Sequence, residues 1–271
     1  MFMIIGIDIG STITKAVSLE DGKMEKKIKT KAEDSLSSAS GALGKIILEN
    51  SIKMSDIARI MITGAGATKI EGDLFGIPTE KVSEITAIGV GGMFLSGQEN
   101  ILIVNIGTGT VIIEARKDKI IHLGGTGVGG GTILGLGKKL LSLSDFKDIM
   151  GLADSGRVEP VDLLLEDIMI KDLNFLNNKS TASNFGKMLD TARNEDIALG
   201  IINMVYQVIG MIAVFAAKSR NITQVIVTGN GSRNQLGKNI LDEIGRMYSI
   251  IFEYPENAEY TTALGASLSI I

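Results

Sequence analysis

The 271-residue chain contains no cysteine. Disulfides are thereby excluded, and with them thiolate metal sites and iron–sulfur clusters. Only 3 prolines occur and no low-complexity tract interrupts a composition that is 45% hydrophobic, so the chain has the makings of a packed core. A basic field is missing too. The formal net charge is −4, which argues against nucleic acid as the main partner. The first residues place no basic stretch ahead of their apolar run, and that run stops at Asp8, so a secretory signal is not expected. One apolar stretch, "ALGIINMVYQVIGMIAVFAA" from Ala198, is nearly long enough to span a bilayer. It contains Asn203 and Gln207, however, and follows the charged "ARNEDI", so a core or subunit-interface helix is expected and no membrane partner. These exclusions leave a cytoplasmic enzyme or binding protein.

What is present is a repeat. Near the start the chain runs "MIIGIDIGSTITKAV" from Met3, and from Ile101 it runs "ILIVNIGTGTVII". In both, an apolar strand ends in Asp or Asn, and a Gly with Ser or Thr follows before a second apolar run. Asp8-Ile9-Gly10-Ser11 aligns with Asn105-Ile106-Gly107-Thr108. The surroundings repeat as well. In the first half the strand patterns "MIIGIDI", "ITKAVSL" and "KMEKKIKT" precede a helix pattern in "SLSSASGALGKIILENS", a strand "ARIMITG" and a helix "EITAIGVGGMFLS". In the second half "ILIVNI", "TVIIEAR" and "KIIHLGG" precede several helices, the strand "QVIVTGN", the helical "NQLGKNILDEIGRM" and the strand "YSIIFEY". Three strands in hairpin order and then alternating helices and strands, twice over, predict two similar α/β halves. The polar "SGQEN" from Ser96 is the best seam between them, which gives 1–97 and 98–271.

Glycine in a tight strand-to-strand turn permits φ > 0 and removes the Cβ, so backbone N–H groups can face an anion directly. Ser11, Thr12, Thr108 and Thr110 add hydroxyl donors at the two tips. One such turn is only a turn, since Gly dominates turns generally. Two of them, in matching places on matching halves, can close on a polyphosphate from opposite sides. Asp8 sits at a strand end, where a carboxylate can hold Mg²⁺ through water, or can simply cap the turn. Asn105 in the matching place adds no charge, which suits a single metal site. A third glycine cluster, "GGTGVGGGTILGLGKKLL" from Gly124, leads a loop into a helix start. Backbone N–H groups there can meet phosphate or ribose with the helix dipole behind them, or the glycines can let two layers pack closely.

These motifs together resemble a known family. "GIDIGSTITK" and "NIGTGT" are similar to the two phosphate motifs of the sugar kinase, heat-shock protein and actin superfamily. The Gly124 segment, "TASNFGKML" from Thr181, "VTGNGSRN" from Val227 and "ALGA" from Ala263 narrow the likeness to the type II, eukaryotic-like pantothenate kinases. It runs nearly end to end. The resemblance implies two ribonuclease H-like (actin-like ATPase) halves with the nucleotide site in the cleft between them. It implies ATP and Mg²⁺, pantothenate as the small-molecule acceptor, and a homodimer. On the nucleotide it implies Asp8 (also the metal ligand), Gly10, Ser11, Thr12 and Lys15 of the first hairpin, and Gly107, Thr108 and Gly109 of the second. Gly130, Gly131, Thr132, Ile133 and Leu134 would line the nucleotide. Phe146 would lie near the adenine, and Gly229, Asn230 and Gly231 would cover the nucleoside.

Glu84 in "KVSEITAIG" matches the family's catalytic Glu and would take the proton of the acceptor hydroxyl. On its residues alone the plainer reading, a first-turn Glu behind a capping Ser83, is the favoured one, and the resemblance reverses that order. The acceptor side would comprise Glu84, Thr108 and His122. His122 departs from the family, which carries an Arg there, and an imidazole lacks the two-pronged grip of a guanidinium on a carboxylate. "IIGIDIGSTITKAV" and "SEITAIG" also resemble the ATP-dependent activators of 2-hydroxyacyl-CoA dehydratases, but those hold an iron–sulfur cluster through cysteines this chain lacks. Sugar kinases of the repressor-related group are disfavoured by the missing Cys-rich zinc motif. A kinase of another small alcohol, such as a sugar or amino sugar, and a non-catalytic nucleotide-binding regulator are the alternatives.

Overall fold

The computed structural model describes residues 3–168 and 178–269. In the first lobe, β1 (Met3–Ile9), β2 (Ile13–Glu20) and β3 (Lys23–Lys31) are followed by α1 (Ser35–Glu49), β4 (Ile57–Thr63), β5 (Thr79–Lys81) and α2 (Glu84–Ser96). The second lobe opens with β6 (Asn100–Ile106), β7 (Thr110–Arg116) and β8 (Lys119–Thr126), then α3 (Gly130–Leu141) and α4 (Phe146–Ala153). A small ladder of β9 (Leu163–Leu164) and β10 (Thr181–Ser183) flanks the short α5 (Leu165–Ile168). The long α6 (Asn194–Ser219), β11 (Gln224–Thr228), α7 (Gln235–Tyr248), β12 (Ile251–Glu253) and α8 (Thr261–Leu268) complete the chain.

The two large sheets have one topology. Their orders are β3-β2-β1-β4-β5 and β8-β7-β6-β11-β12, each with three antiparallel strands joined to two parallel ones. Central strands β1 and β6 are buried almost throughout, as near-continuous apolar runs covered on both faces should be. At one outer edge β3 carries five lysines, the usual protection of an unpaired edge against further pairing.

Each sheet is covered outside by its own helices and inside by a helix crossing between the lobes. α1 closes the outer face of the first sheet, where Ala39, Ala42, Leu43 and Ile46 meet Ile5, Ile7 and Ile60. α6 and α7 close the outer face of the second. On the inner faces the order is exchanged: Ile88 of α2 packs on Ile101, Ile103 and Ile113 of the second sheet, and Leu264 of α8 packs on Val17 and Leu19 of the first. The division at residue 97 falls on Gly97, the left-handed cap of α2, and so separates the sheets but not the packing layers.

α2 and α8 touch backbone to backbone. A Cβ on Gly91 would lie 2.0 Å from the Thr261 carbonyl oxygen, and one on Gly265 would lie 1.7 Å from that of Ala87. Gly91 of "GVGG" and Gly265 of "ALGA" therefore form a crossing point, while Gly89 and Gly92 make room for Ile120 and Ile103 of the second sheet. The membrane-length stretch forms most of α6, and 61% of its most apolar window is buried inside the protein.

Candidate active site

Both sheets deliver a polar residue to the cleft at the same place. Asp8 is the last residue but one of β1 and Asn105 that of β6, and each is only 8% exposed. The neighbours differ. Asp8 lies opposite Lys15 across the hairpin, and the Lys15 ammonium is 3.7 Å from Asp8 Oδ2. Both side chains are buried, so Lys15 does not face solvent as a strand-start lysine ordinarily would. Burial holds the Asp8 carboxyl above the usual carboxylate range, with the Lys15 charge and hydrogen bond pulling the other way. Asn105 lies opposite Val111 and instead accepts a 3.0 Å hydrogen bond from Thr228 Oγ1.

A second repeat frames these residues. β4 and β11 end at Thr63 and Thr228 and run on into Gly64-Ala65-Gly66 and Gly229-Asn230-Gly231, and Thr63 and Thr228 are the register partners of Asp8 and Asn105. Gly64 and Gly229 take φ of 87° and 81°. A Cβ on Gly64 would stand 2.7 Å from Asp8 Oδ1, and one on Gly229 would stand 2.9 Å from Asn105 Oδ1. Only glycine leaves room for the side chain next door. Gly64 and Ala65 line the cleft and were not among the residues expected there, although "MITGAG" and "VIVTGNG" carry the signal.

The cleft between the lobes holds a cavity of about 260 Å³. Its walls bring together Asp8, Gly10, Ser11, Thr12 and Lys15 from the first hairpin with Gly107, Thr108 and Gly109 from the second. Glu84, Gly229 and Asn230 join them, as do Thr110, Thr126 and Thr262. Across the cleft Ser11 Oγ and Thr108 Oγ1 share a 2.8 Å hydrogen bond. The two hairpin tips thus touch, and the space is below the roughly 300–1,000 Å³ of a pocket for a complete small ligand.

The remaining expected nucleotide residues lie outside this cavity. The N–H of Gly130 donates to Gly107 O at 2.9 Å and that of Gly131 to Thr108 O at 2.8 Å. Thr132 and Ile133 both donate to Gly129 O, so the first two N–H groups of α3 brace the second hairpin, the next two bond within its own first turn, and none of the four faces an anion. Ile133 is buried in the core of the second lobe, and Leu134 packs against that core. Phe146 opens α4 behind the Asp145 cap and packs on the same core. Gly231 is buried, with its carbonyl accepting from Tyr206 Oη at 2.8 Å.

The "NFG" segment is held by a buried acid that the sequence did not point to. Asp162 accepts from Phe185 N at 2.9 Å and from Asn203 Nδ2 at 2.7 Å, while Asn184 Nδ2 donates to Gln207 Oε1 at 3.1 Å. The two polar interruptions of α6 are thereby accounted for.

Glu84 is the first residue of α2, at the mouth of the cavity. Ser83 makes no side-chain cap there, so the capping explanation of this pair loses half its content. Glu84 is exposed, yet the protein around its carboxyl removes enough water to raise its pKa; the negative charge of Asp8 raises it further, and Lys15 opposes both. His122 is exposed on β8 opposite Ile113, on the sheet face that carries α2, and does not line the cavity.

A sequence profile of the Fumble family matches residues 100–266. Type II pantothenate kinase of Bacillus anthracis is 34% identical over 243 residues, which covers 86% of this chain and 84% of that one. The enzyme of the same name from Bacillus cereus (strain ATCC 10987 / NRS 248) is 31% identical over 278 residues, with 98% and 97% covered. Among solved structures, the activator of the 2-hydroxyisocaproyl-CoA dehydratase from Clostridium difficile with bound ADPNP superimposes with a TM-score of 0.71 at 20% identity, over 98% of this chain and 93% of that one. A ROK family glucokinase from Streptomyces griseus in complex with glucose and AMPPNP gives 0.60 at 13% identity, with 98% of each chain covered. At these identities the structural likeness shows the shared two-lobed, actin-like ATPase fold. By family profile and by curated relatives alike, the chain belongs to the type II pantothenate kinases.

Proposed function

We propose that the chain transfers the γ-phosphoryl group of ATP to the primary hydroxyl of pantothenate, giving 4'-phosphopantothenate and ADP in the first step of coenzyme A synthesis. The observation that carries this reading is the cleft, where two glycine–hydroxyl hairpins face each other with a buried Asp8 and an exposed Glu84 in its lining. Such hairpins suit a polyphosphate, and phosphoryl transfer asks mainly for positioning and neutralisation of charge. Glu84 accepts the proton of the pantothenate hydroxyl as its oxygen bonds to the γ-phosphorus. The bond from that phosphorus to the bridging oxygen of ADP breaks, and the electron pair leaves on ADP. A carboxyl with a raised pKa is the better base for this work near neutral pH. Lys15 balances negative charge on the phosphates, and Thr108 and His122 serve the acceptor side.

The donor set also fits Mg²⁺. Mg²⁺ takes one or two carboxylates together with substrate phosphates and keeps several waters. Asp8 offers one buried carboxylate with room made by Gly64, and among the described residues no cluster of three or more acidic or histidine side chains offers a dedicated cage. Asp8 would hold the ion through water beside the Ser11 and Thr12 hydroxyls. When bound with ATP it supplies charge neutralisation at the β- and γ-phosphates.

The same reading makes the protein a cytoplasmic homodimer joined along α6. Supporting this, Met204, Val208, Met211 and Ile212 stay half-buried in a row at helical spacing, and Phe215 at its end is 64% exposed. The test of function is an ADP-release assay offering pantothenate, N-acetylglucosamine and simple sugars in parallel. Turnover on pantothenate alone is expected. Turnover on a sugar with none on pantothenate would replace the acceptor, and no turnover on any alcohol would make the protein a nucleotide-binding regulator.

A further inference from the structure

The two lobes repeat one arrangement, and one of the places where they differ is a buried threonine hydroxyl beside the cleft acid. In the second lobe Thr228 is fully buried and its Oγ1 donates to Asn105 Oδ1. In the first lobe Thr63 holds the same register opposite Asp8, precedes a glycine of the same left-handed φ, and is also fully buried. Yet among the described residues its hydroxyl has no hydrogen-bond partner. Buried hydroxyls without a partner are uncommon and costly, and each calls for an explanation. The difference has a visible source. Asp8 has a lysine across the hairpin where Asn105 has a valine, and its carboxylate is engaged with the Lys15 ammonium.

We propose that Thr63 is a positioning residue for Asp8, donating its hydroxyl proton to the carboxylate once the Lys15 ammonium turns to the phosphates; this rests on the reading of Asp8 as the phosphate-side acid. Adjacent register partners in a parallel pair share a sheet face, so Thr63 and Asp8 stand side by side. A lysine is a flexible point charge that a polyphosphate attracts, and a carboxylate released by it would swing freely. Thr228 shows what the same backbone does when no lysine competes: the threonine fixes the side chain beside it. Held by Thr63, Asp8 keeps its aim while Lys15 changes partner.

The test is calorimetric binding of a non-hydrolysable ATP analogue with and without Mg²⁺, to the wild type and to Thr63→Val and Thr63→Ser. Thr63→Val is expected to bind the analogue alone as the wild type does. Its gain in affinity on adding Mg²⁺ should fall about tenfold, the size of a hydrogen bond to a charged group, and Thr63→Ser should keep most of that gain. The ligand-free thermal midpoint of Thr63→Val should not drop, because no bond is lost in that state. A wild-type gain in Thr63→Val, or an equal loss with and without Mg²⁺, would overturn the proposal. Should Thr63→Val not fold, Thr63→Ser and Thr63→Ala carry the same comparison, and equal gains in the two would sink it. Asp8→Asn separates the levels: if it too keeps the gain, the reading of Asp8 fails and takes Thr63 with it.

Discussion

Glu84 and Asp8 share one electrostatic feature, since loss of water around each carboxyl raises its pKa. For Glu84 the consequence is catalytic. The base must be ionised, so kcat/KM should fall on the acid side at a pH above the ordinary range of a glutamate, and Glu84→Gln should lower kcat by about 10² or more while leaving ATP affinity alone. Near-normal turnover in that variant would return Glu84 to a merely helical role. Stability runs the opposite way. A folded-state pKa raised above the unfolded value favours folding at low pH, and this contribution is lost as pH rises through the folded value. Glu84→Gln should therefore raise the ligand-free thermal midpoint at neutral pH, with the difference closing in mild acid. Asp8 differs because its partner is buried too. Asp8→Asn should abolish turnover and lower the midpoint, since Lys15 keeps a buried charge with nothing opposite; adding Lys15→Met should restore the midpoint and not the activity. The pattern of Asp8, Gly10, Ser11 and Lys15 is legible in sequence because a glycine–hydroxyl hairpin is a local feature. The pairing of Asp8 with Thr63 and Gly64 is not, because register across a parallel pair is fixed by the whole lobe.

At the scale of elements, the apolar periods located α2, β7 and the central strands closely, since each covers a face whose spacing the chain must keep. They were silent on the exchange of inner helices. The signal there was the small residues of α2 and α8, where side chains are missing so that backbones can touch. Gly265→Ala would drive a methyl to 1.7 Å from the Ala87 carbonyl oxygen, and that backbone cannot yield without moving α2. We expect a loss of at least about 1–3 kcal/mol, read as a thermal midpoint lower by roughly 2–4 °C for each kcal/mol in a chain of this size. Gly41→Ala is the control. Gly41 sits exposed in α1 with nothing within 4 Å of the new methyl, so the change should stabilise by about 0.5–1 kcal/mol. Equal effects from the two substitutions would mean that the crossing is not tight. The Gly124 cluster teaches the same lesson from the other side. Composition suggested N–H groups free for an anion, but the fold uses those of Gly130 and Gly131 to hold the neighbouring hairpin.

For the molecule as a whole, the apolar excess of α6 is the feature that its own lobe does not use up. A helix that buries one stripe against a core shows polar residues on the far side, whereas α6 continues Met204, Val208, Met211, Ile212 and Phe215 along a face left half-open. Beside it, Leu123, Gly124 and Gly125 of β8 line a shallow hollow with Phe215 and Ala216. A second copy of the chain presenting the same stripe would cover this surface by two-fold symmetry, with each Phe215 entering the other's hollow. Phe215→Glu places charge at that junction without touching the cleft, because Phe215 lines the hollow beside α6 and no residue of α6 lines the cleft cavity. Sedimentation velocity should find dimers of the wild type and monomers of the variant, and the variant's own thermal midpoint should show little loss of lobe packing, since the ring it replaces is largely exposed. A wild type that sediments as a monomer across the micromolar range would remove the dimer, and the stripe would then need another partner.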